Sequence, residues 1–224
     1  KFGCQIKAVC SLFELGDKLS LNVFGISFHV GWNNEHLETW NRVYRDISEL
    51  ATQLKQKYSS FISINIGGGF PAHHGNQTEK LLQISEIINP FLLKWQNDEK
   101  LEVVAEPRSY LMANAGIMVV KVIARIMRNN IDWVYVDSGI FQGFSWIMGG
   151  LGYKIEALNT KNDGLTKKMV VCGPTCDTHD VYSHSVFLPD SISEGDLLLI
   201  SPAGAYISSS QAYNGFSIPP EVAI

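Results

Sequence analysis

The run Val171-Cys172-Gly173-Pro174-Thr175-Cys176-Asp177 sets a thiol and a carboxylate side by side, just after a Gly-Pro turn. Packing rarely needs that pair. It suits a pocket that must hold a cation while a proton moves. Gly204-Ala205-Tyr206 and Tyr213-Asn214-Gly215-Phe216 follow, bringing a glycine-flanked tyrosine and a second aromatic. Upstream, Ser27-Phe28-His29-Val30-Gly31 places an imidazole at the mouth of a buried strand. A flat ring there can stack on an aromatic ligand, or it can be a histidine satisfied within the core. In Ile66-Gly67-Gly68-Gly69-Phe70-Pro71 a strand runs into bare backbone. Its amides can approach a phosphate without Cβ interference, or the glycines simply serve a tight turn. It is neither a Walker loop nor a dinucleotide fingerprint. Ala105-Glu106-Pro107-Arg108 puts a carboxylate on a strand end. That acid can hold a protonated pyridine nitrogen, or pair with Arg108.

These residues need elements to position them. Val23–His29 reads as a buried strand, and helical spacing from about Asn34 to Tyr58 is carried by Leu37, Trp40, Val43, Ile47, Leu50 and Leu54. Phe61–Ile66 is a second strand, about Thr78–Trp95 a second helix, and Leu101–Ala105 a third strand. Strand, helix, strand, helix, strand with short connections implies parallel strands covered by helices. Chemistry in such units gathers at the C-terminal ends of the strands, and His29, the glycines and Glu106 all lie there. After about residue 120 helical periodicity fades. Ile117–Met127, Trp133–Val136, Lys168–Cys172, Val181–Leu188 and Leu197–Ile200 are strand candidates. Turns are expected at Asn129-Asn130, Asn162-Asp163-Gly164 and Glu194-Gly195-Asp196. The expectation is an α/β part over residues 1–113 and an antiparallel β-domain over 114–224.

With 46% hydrophobic and 18% charged residues, the 224-residue chain has an ordinary globular balance. A net charge of −4 leaves no basic face, which argues against a nucleic-acid partner. No apolar run approaches the ~20 residues of a membrane span. The opening Lys1-Phe2-Gly3 lacks the charged and apolar regions of a secretion signal, and the missing Met suggests a fragment or a chain whose beginning has been removed. Four cysteines are too few for a disulfide framework at this length, so a reducing cytoplasm is expected. Cys172, Cys176 and His179 could begin a metal site, but no fourth ligand follows at finger-like spacing, and no metal is expected.

Taken in order, Phe28-His29-Val30-Gly31, Ile66–Pro71, Ala105-Glu106-Pro107, Cys172–Asp177, Gly204-Ala205-Tyr206 and Asn214-Gly215-Phe216 resemble the ornithine/lysine/diaminopimelate decarboxylase family. The Cys-Asp pair is most like the ornithine/lysine branch. The resemblance implies pyridoxal phosphate on an alanine-racemase-like (β/α)8 barrel, of which residues 1–113 would be the C-terminal part. His29 would stack on the cofactor ring and Glu106 would pair with its nitrogen. Gly67, Gly68, Gly69, Arg108 and Tyr206 would meet the phosphate. Cys176 would return a proton after carbon dioxide leaves, and Asp177 with Tyr213 would meet the distal amine of the substrate. It also implies a head-to-tail homodimer with shared active sites and a place in polyamine biosynthesis. The chain departs from the family pattern in places. The cofactor-bearing lysine belongs to an early strand absent from this sequence, and Lys1 is no substitute. Trp32-Asn33 stand where a phosphate-contacting serine is usual, Asn65 replaces an acid, and the arginine is displaced by one position to Arg108. A second amine-binding acid is replaced near Gly149-Gly150. The alternative is therefore a catalytically weak or inactive member acting as a regulatory or binding partner.

Overall fold

The computed structural model describes residues 2–72, 77–159, 164–207 and 212–223, so Lys1 and the turn expected at Asn162-Asp163 lie outside the described residues. The chain divides into two compact units, one reaching Arg108 and the other running from Ser109, with Ala72 in the second.

In the first unit, α1 (Val9–Lys18) precedes β1 (Gly25–Ser27), α2 (Leu37–Lys57), β2 (Ser63–Asn65), α3 (Gln77–Leu93) and β3 (Glu102–Val104). The strands form a parallel sheet in the order β1-β2-β3, with Ile26 opposite Ile64 and Ile64 opposite Val103. This is the expected alternation. The sheet is open, and no closed eight-stranded barrel is present among the described residues. α2 exists because Trp40, Tyr44, Ile47, Leu50, Ala51 and Leu54 recur at three and four residues and bury one face. Tyr44 stacks on Trp95 at 5.7 Å, and Phe28 meets the Tyr44 ring edge-on at 5.2 Å. Trp40 and Trp95 are fully buried, and truncating either to Ala costs about 3–5 kcal/mol. Phe28 thus anchors the end of the β1 segment in the aromatic core. Its neighbour His29 is exposed, as alternation along an extended chain requires.

A short helix, α4 (Arg108–Met112), begins at the last residue of the first unit; the second unit then carries β4 (Met118–Arg128), β5 (Ile131–Val136), β6 (Lys154–Ala157), β7 (Thr166–Cys172), β8 (Val181–Pro189) and β9 (Leu197–Ser201). They make one six-stranded sheet in the order β6-β9-β4-β5-β7-β8. The long strand β4 joins its two halves. Residues 118–121 pair with β9, and from Val122 onward, past an irregularity before Ala124, it pairs with β5. The sheet is antiparallel except for one parallel pair, β5 with β7. The parallel pair follows from the long excursion between β5 and β7, since a tight hairpin can only return a strand antiparallel. Val120, Val122, Val134, Val136, Val171, Leu198 and Ile200 fill its core.

Candidate active site

The expected functional side chains fall into two groups, one in each unit. In the first, hydrogen bonds continue past the three strands: Phe28 N–H donates to Asn65 O, Ile66 N–H to Val104 O, and Glu106 N–H to Gly67 O. The loops carrying His29, the glycines and Glu106 are therefore held in register. Glycine is required here by close approach of backbone. A Cβ on Gly67 would lie 2.2 Å from Phe28 O, and one on Gly69 would lie 2.1 Å from Gly31 O. Both also sit at positive φ, +64° and +94°. Asn34 ties the two loops together, donating its N–H to Gly69 O and its side-chain amide to Val30 O.

Of the three glycine amides, that of Gly67 is already donated to Asn65 Oδ1 at 2.8 Å. Those of Gly68 and Gly69 have no hydrogen-bond partner among the described residues, so they can serve an anion. The His29 ring lies beside this loop, with Nε2 3.7 Å from where a Cβ on Gly68 would stand. Its Nδ1 accepts the Gly31 N–H at 3.0 Å, which puts the proton of the neutral ring on Nε2. Asn65 Nδ2 donates to Glu106 Oε1 at 2.7 Å, and Arg108 Nη2 reaches Glu106 Oε2 at 3.5 Å. Glu106 is exposed and keeps acceptor capacity for an N–H donor. Asn65, in the place of an acid, supports both the glycine loop and Glu106. Sequence reasoning saw it only as a departure.

In the second unit, Cys176 and Asp177 follow β7 on the Gly-Pro loop. Cys176 is exposed. Cys172, in contrast, is buried on β7, and burial pushes its thiol up to about 12, with the charge of Asp180 adding to the effect. The two thiols therefore serve different ends, one packed and one available. Asp177 Oδ1 accepts the His179 N–H at 2.9 Å and lies 3.0 Å from His179 Nδ1, while Oδ2 accepts the Tyr213 hydroxyl at 2.9 Å. The His179 amide, the Tyr213 hydroxyl and the His179 ring hold the Asp177 carboxyl below the usual carboxylate range. Tyr213 is aimed by a tight hairpin. Asn214 and Gly215 both have positive φ, +49° and +84°, and Tyr213 and Phe216 exchange both backbone hydrogen bonds. Asn-Gly is the sequence such a turn prefers. The same hairpin brings Asn214 Nδ2 to 3.6 Å from Cys176 Sγ, and Tyr213 stacks on Phe141 at 4.1 Å.

Tyr206 sits at φ +69°, unusual for a bulky residue and a form of backbone strain that collects at functional positions. It follows Gly204, whose missing Cβ would stand 2.0 Å from Met112 O. Its ring lies 5.6 Å from that of Trp146.

One residue in this group escaped sequence reasoning. Asp180 is buried, and its carboxylate accepts the Ile140 N–H at 2.8 Å, the Thr175 N–H at 3.1 Å and the Thr175 hydroxyl at 2.6 Å. Gly139 and Gly173 make room for it, because a Cβ on either would lie within 2.4 Å of that carboxylate. Asp180 thereby staples the Cys176 loop to the turn after β5.

Residues 10–204 match the family described as pyridoxal-dependent decarboxylase, C-terminal sheet domain. The chain belongs to that family. Among curated relatives of this decarboxylase-family chain, antizyme inhibitor 2 of Xenopus laevis is 30% identical over 98% of this chain and 51% of its own length. Ornithine decarboxylase of Mus musculus is 29% identical with the same coverage. A crystal structure of a lysine/ornithine decarboxylase complexed with cadaverine from Vibrio vulnificus superposes with a TM-score of 0.85 and 28% identity, covering 97% of this chain and 59% of that one. The chain spans about half the length of the curated relatives it matches. No helix among the described residues is long and apolar enough to cross a membrane.

Proposed function

We propose that the full-length protein is a pyridoxal-phosphate-dependent carboxy-lyase that converts a basic amino acid, L-ornithine or L-lysine, into a diamine for polyamine biosynthesis. The reading rests on one observation above the rest: an exposed thiol beside an ionised carboxylate, with Asn214 reaching the first and Tyr213 the second. The residues of the first unit fit the cofactor. His29 offers an exposed ring face, Gly68 and Gly69 offer amides to a phosphate, and Glu106 offers an acceptor to a ring N–H. When bound, pyridoxal phosphate acts as an electron sink for the bond to the departing carboxylate. Cys176 then delivers a proton to the carbon that carbon dioxide has left. Asp177 takes the distal ammonium. A carboxylate held ionised by its hydrogen bonds favours a cation over a neutral side chain. The Vibrio relative's complex with a diamine supports that substrate class.

In the same reading, residues 1–113 are the C-terminal part of a (β/α)8 barrel and 114–224 a β-domain. The protein works in the cytoplasm as a head-to-tail homodimer, with Cys176 and Asp177 serving the second copy. The test uses the full-length protein: cofactor uptake by absorbance, and carbon dioxide release from ornithine and lysine. Saturable uptake with release from either substrate is expected. Uptake without release from any diamino acid overturns the proposal.

A regulatory, non-catalytic member is the second reading. It is favoured by the direction of Arg108 toward Glu106, by the Gly67 amide already bonded to Asn65, and by the likeness to an antizyme inhibitor. It requires that the cofactor titration show no binding.

A further inference from the structure

Asp177 carries a cation-capable neighbour of its own. Its Oδ1 accepts the backbone N–H of His179 and also lies 3.0 Å from His179 Nδ1, while Tyr213 occupies Oδ2. An ionised carboxylate offers about four acceptor positions, so about one remains for a ligand. Nδ1 can meet a carboxylate oxygen only when it bears a proton, which holds for one neutral tautomer and for the imidazolium. The His179 side chain is 73% exposed, so water can supply the second proton at Nε2. The other titratable groups of this cluster are Cys176, Asp180 and Tyr213. Asp180 is turned inward onto Ile140 and Thr175, and Tyr213 faces the opposite oxygen.

We propose that His179 is a specificity-determining residue: as an imidazolium it neutralises Asp177 and competes with the distal ammonium of the substrate, and as a neutral ring it leaves Asp177 open to that cation. The inference rests on the decarboxylase reading above, in which Asp177 binds that ammonium. Imidazoles change charge between about pH 5 and 8. An alkyl ammonium, with the ordinary pKa of ~10.4 seen in lysine, stays charged throughout. Selectivity for diamino acids over neutral ones should therefore rise with pH across this interval. A second cation at contact distance is enough to change the affinity of the first by about tenfold.

The experiment is calorimetric titration of the full-length, cofactor-loaded protein with putrescine and cadaverine at pH 6 and pH 8, with n-butylamine as a control lacking the second charge. In the wild type, diamine affinity falls by about threefold or more from pH 8 to pH 6 while butylamine affinity changes by less than about twofold. His179→Asn cannot ionise and keeps its backbone N–H on Asp177. Its diamine affinity stays within about twofold across the two pH values. His179→Lys, always charged, binds diamines weakly at both. Repeating the wild-type titration near pH 6.5 in two buffers of different ionisation enthalpy reveals proton release on diamine binding, without relying on any variant. Diamine binding with the same pH dependence in wild type and His179→Asn, or without proton release, overturns this inference alone. No diamine binding to the wild type at either pH overturns the decarboxylase reading and the inference with it.

Discussion

The Tyr213 hydroxyl donates to Asp177 Oδ2 across 2.9 Å, joining the Asn-Gly hairpin to the loop after β7. The bond pushes the Tyr213 phenol up and helps hold the Asp177 carboxyl down, so at neutral pH the proton stays on the tyrosine and the charge on the aspartate. Tyr213→Phe keeps the stacking on Phe141 and removes only the donor. If the full-length protein is the proposed decarboxylase, the expected result is a loss of about tenfold in kcat/KM for the diamino acid, carried by KM, the scale of a hydrogen bond to a charged group. Asp177→Ala is expected to lose most of the preference for diamino over neutral amino acids. Since the two residues share one interaction, the double variant should be little worse than Asp177→Ala alone. Fully additive losses would show that Tyr213 acts elsewhere.

Asp180 makes a different kind of prediction, about the scaffold of the Cys176 loop. Its carboxylate answers three donors in a buried place. Asp180→Ala strands those donors, and the expected cost is about 3 kcal/mol or more of stability, read as a lower midpoint in denaturant with an unchanged slope. Gly173→Ala should harm the same loop from the other side, because its Cβ would strike the Asp180 carboxylate. A stability change below about 0.5 kcal/mol for Asp180→Ala, the range of ordinary surface substitutions, would remove Asp180 from this role.

How much of this could be read before any coordinates depends on the range over which each signal acts. α2 is legible because a 21-residue helix repeats one apolar face many times. The Tyr213–Phe216 hairpin carries a local signal in Asn-Gly, although the sequence reading takes that pair only as part of a family motif. α1 is harder, since Leu12 and Leu15 are exposed and blur its buried stripe around Phe13. β6 has only four residues, Lys-Ile-Glu-Ala, too few for a period to emerge. Cys176, Asp177 and Tyr213 attract attention by their chemistry. Asp180 does not, because an aspartate before a strand reads as a turn residue. Its importance arises only when Gly139 and Gly173 come together around it. The parallel pairing of β5 with β7 is likewise a tertiary outcome, invisible in either strand.

A third prediction concerns acid. Asp132 on β5 is buried between Arg125 at 2.9 Å and Lys167 at 2.6 Å, and Arg125 also reaches Asp190. Arg125 first, and then Lys167, hold the Asp132 carboxyl below its ordinary value. A lowered folded-state pKa means that the unfolded chain takes up the proton first. The stabilisation is therefore complete above the unfolded value of ~3.9 and is lost as pH falls through the folded one. Asp132→Asn should lower stability at pH 7 and flatten the loss of stability below about pH 4. Thermal melts of both proteins from pH 3 to pH 7 test it, and parallel curves for the two would show that Asp132 does not contribute to acid unfolding.

Cys176 carries the last prediction, which separates chemistry from packing. The thiol is exposed, sits one residue before the Asp177 carboxylate, and receives the Asn214 side-chain amide at 3.6 Å, a weak contact that orients sulfur more than it stabilises the fold. A residue with so little burial contributes little to stability, so Cys176→Ala should melt within about 2 °C of the wild type and take up cofactor normally. In the proposed reaction it gives its proton after carbon dioxide has left. Its removal should lower kcat by about 10²–10⁴-fold, the usual worth of general acid catalysis. It should also cost fidelity, because a proton arriving at the wrong carbon leaves the amine nitrogen on the cofactor and, after hydrolysis by water, gives an aldehyde in place of the diamine. Asn214→Ala should show the same by-product at a lower level, since it disturbs the orientation of the thiol and not its presence. The measurement is a product analysis of single turnovers, with diamine and aldehyde quantified together. A Cys176→Ala enzyme that forms only the diamine at full rate would make this thiol a bystander and assign the proton to another group.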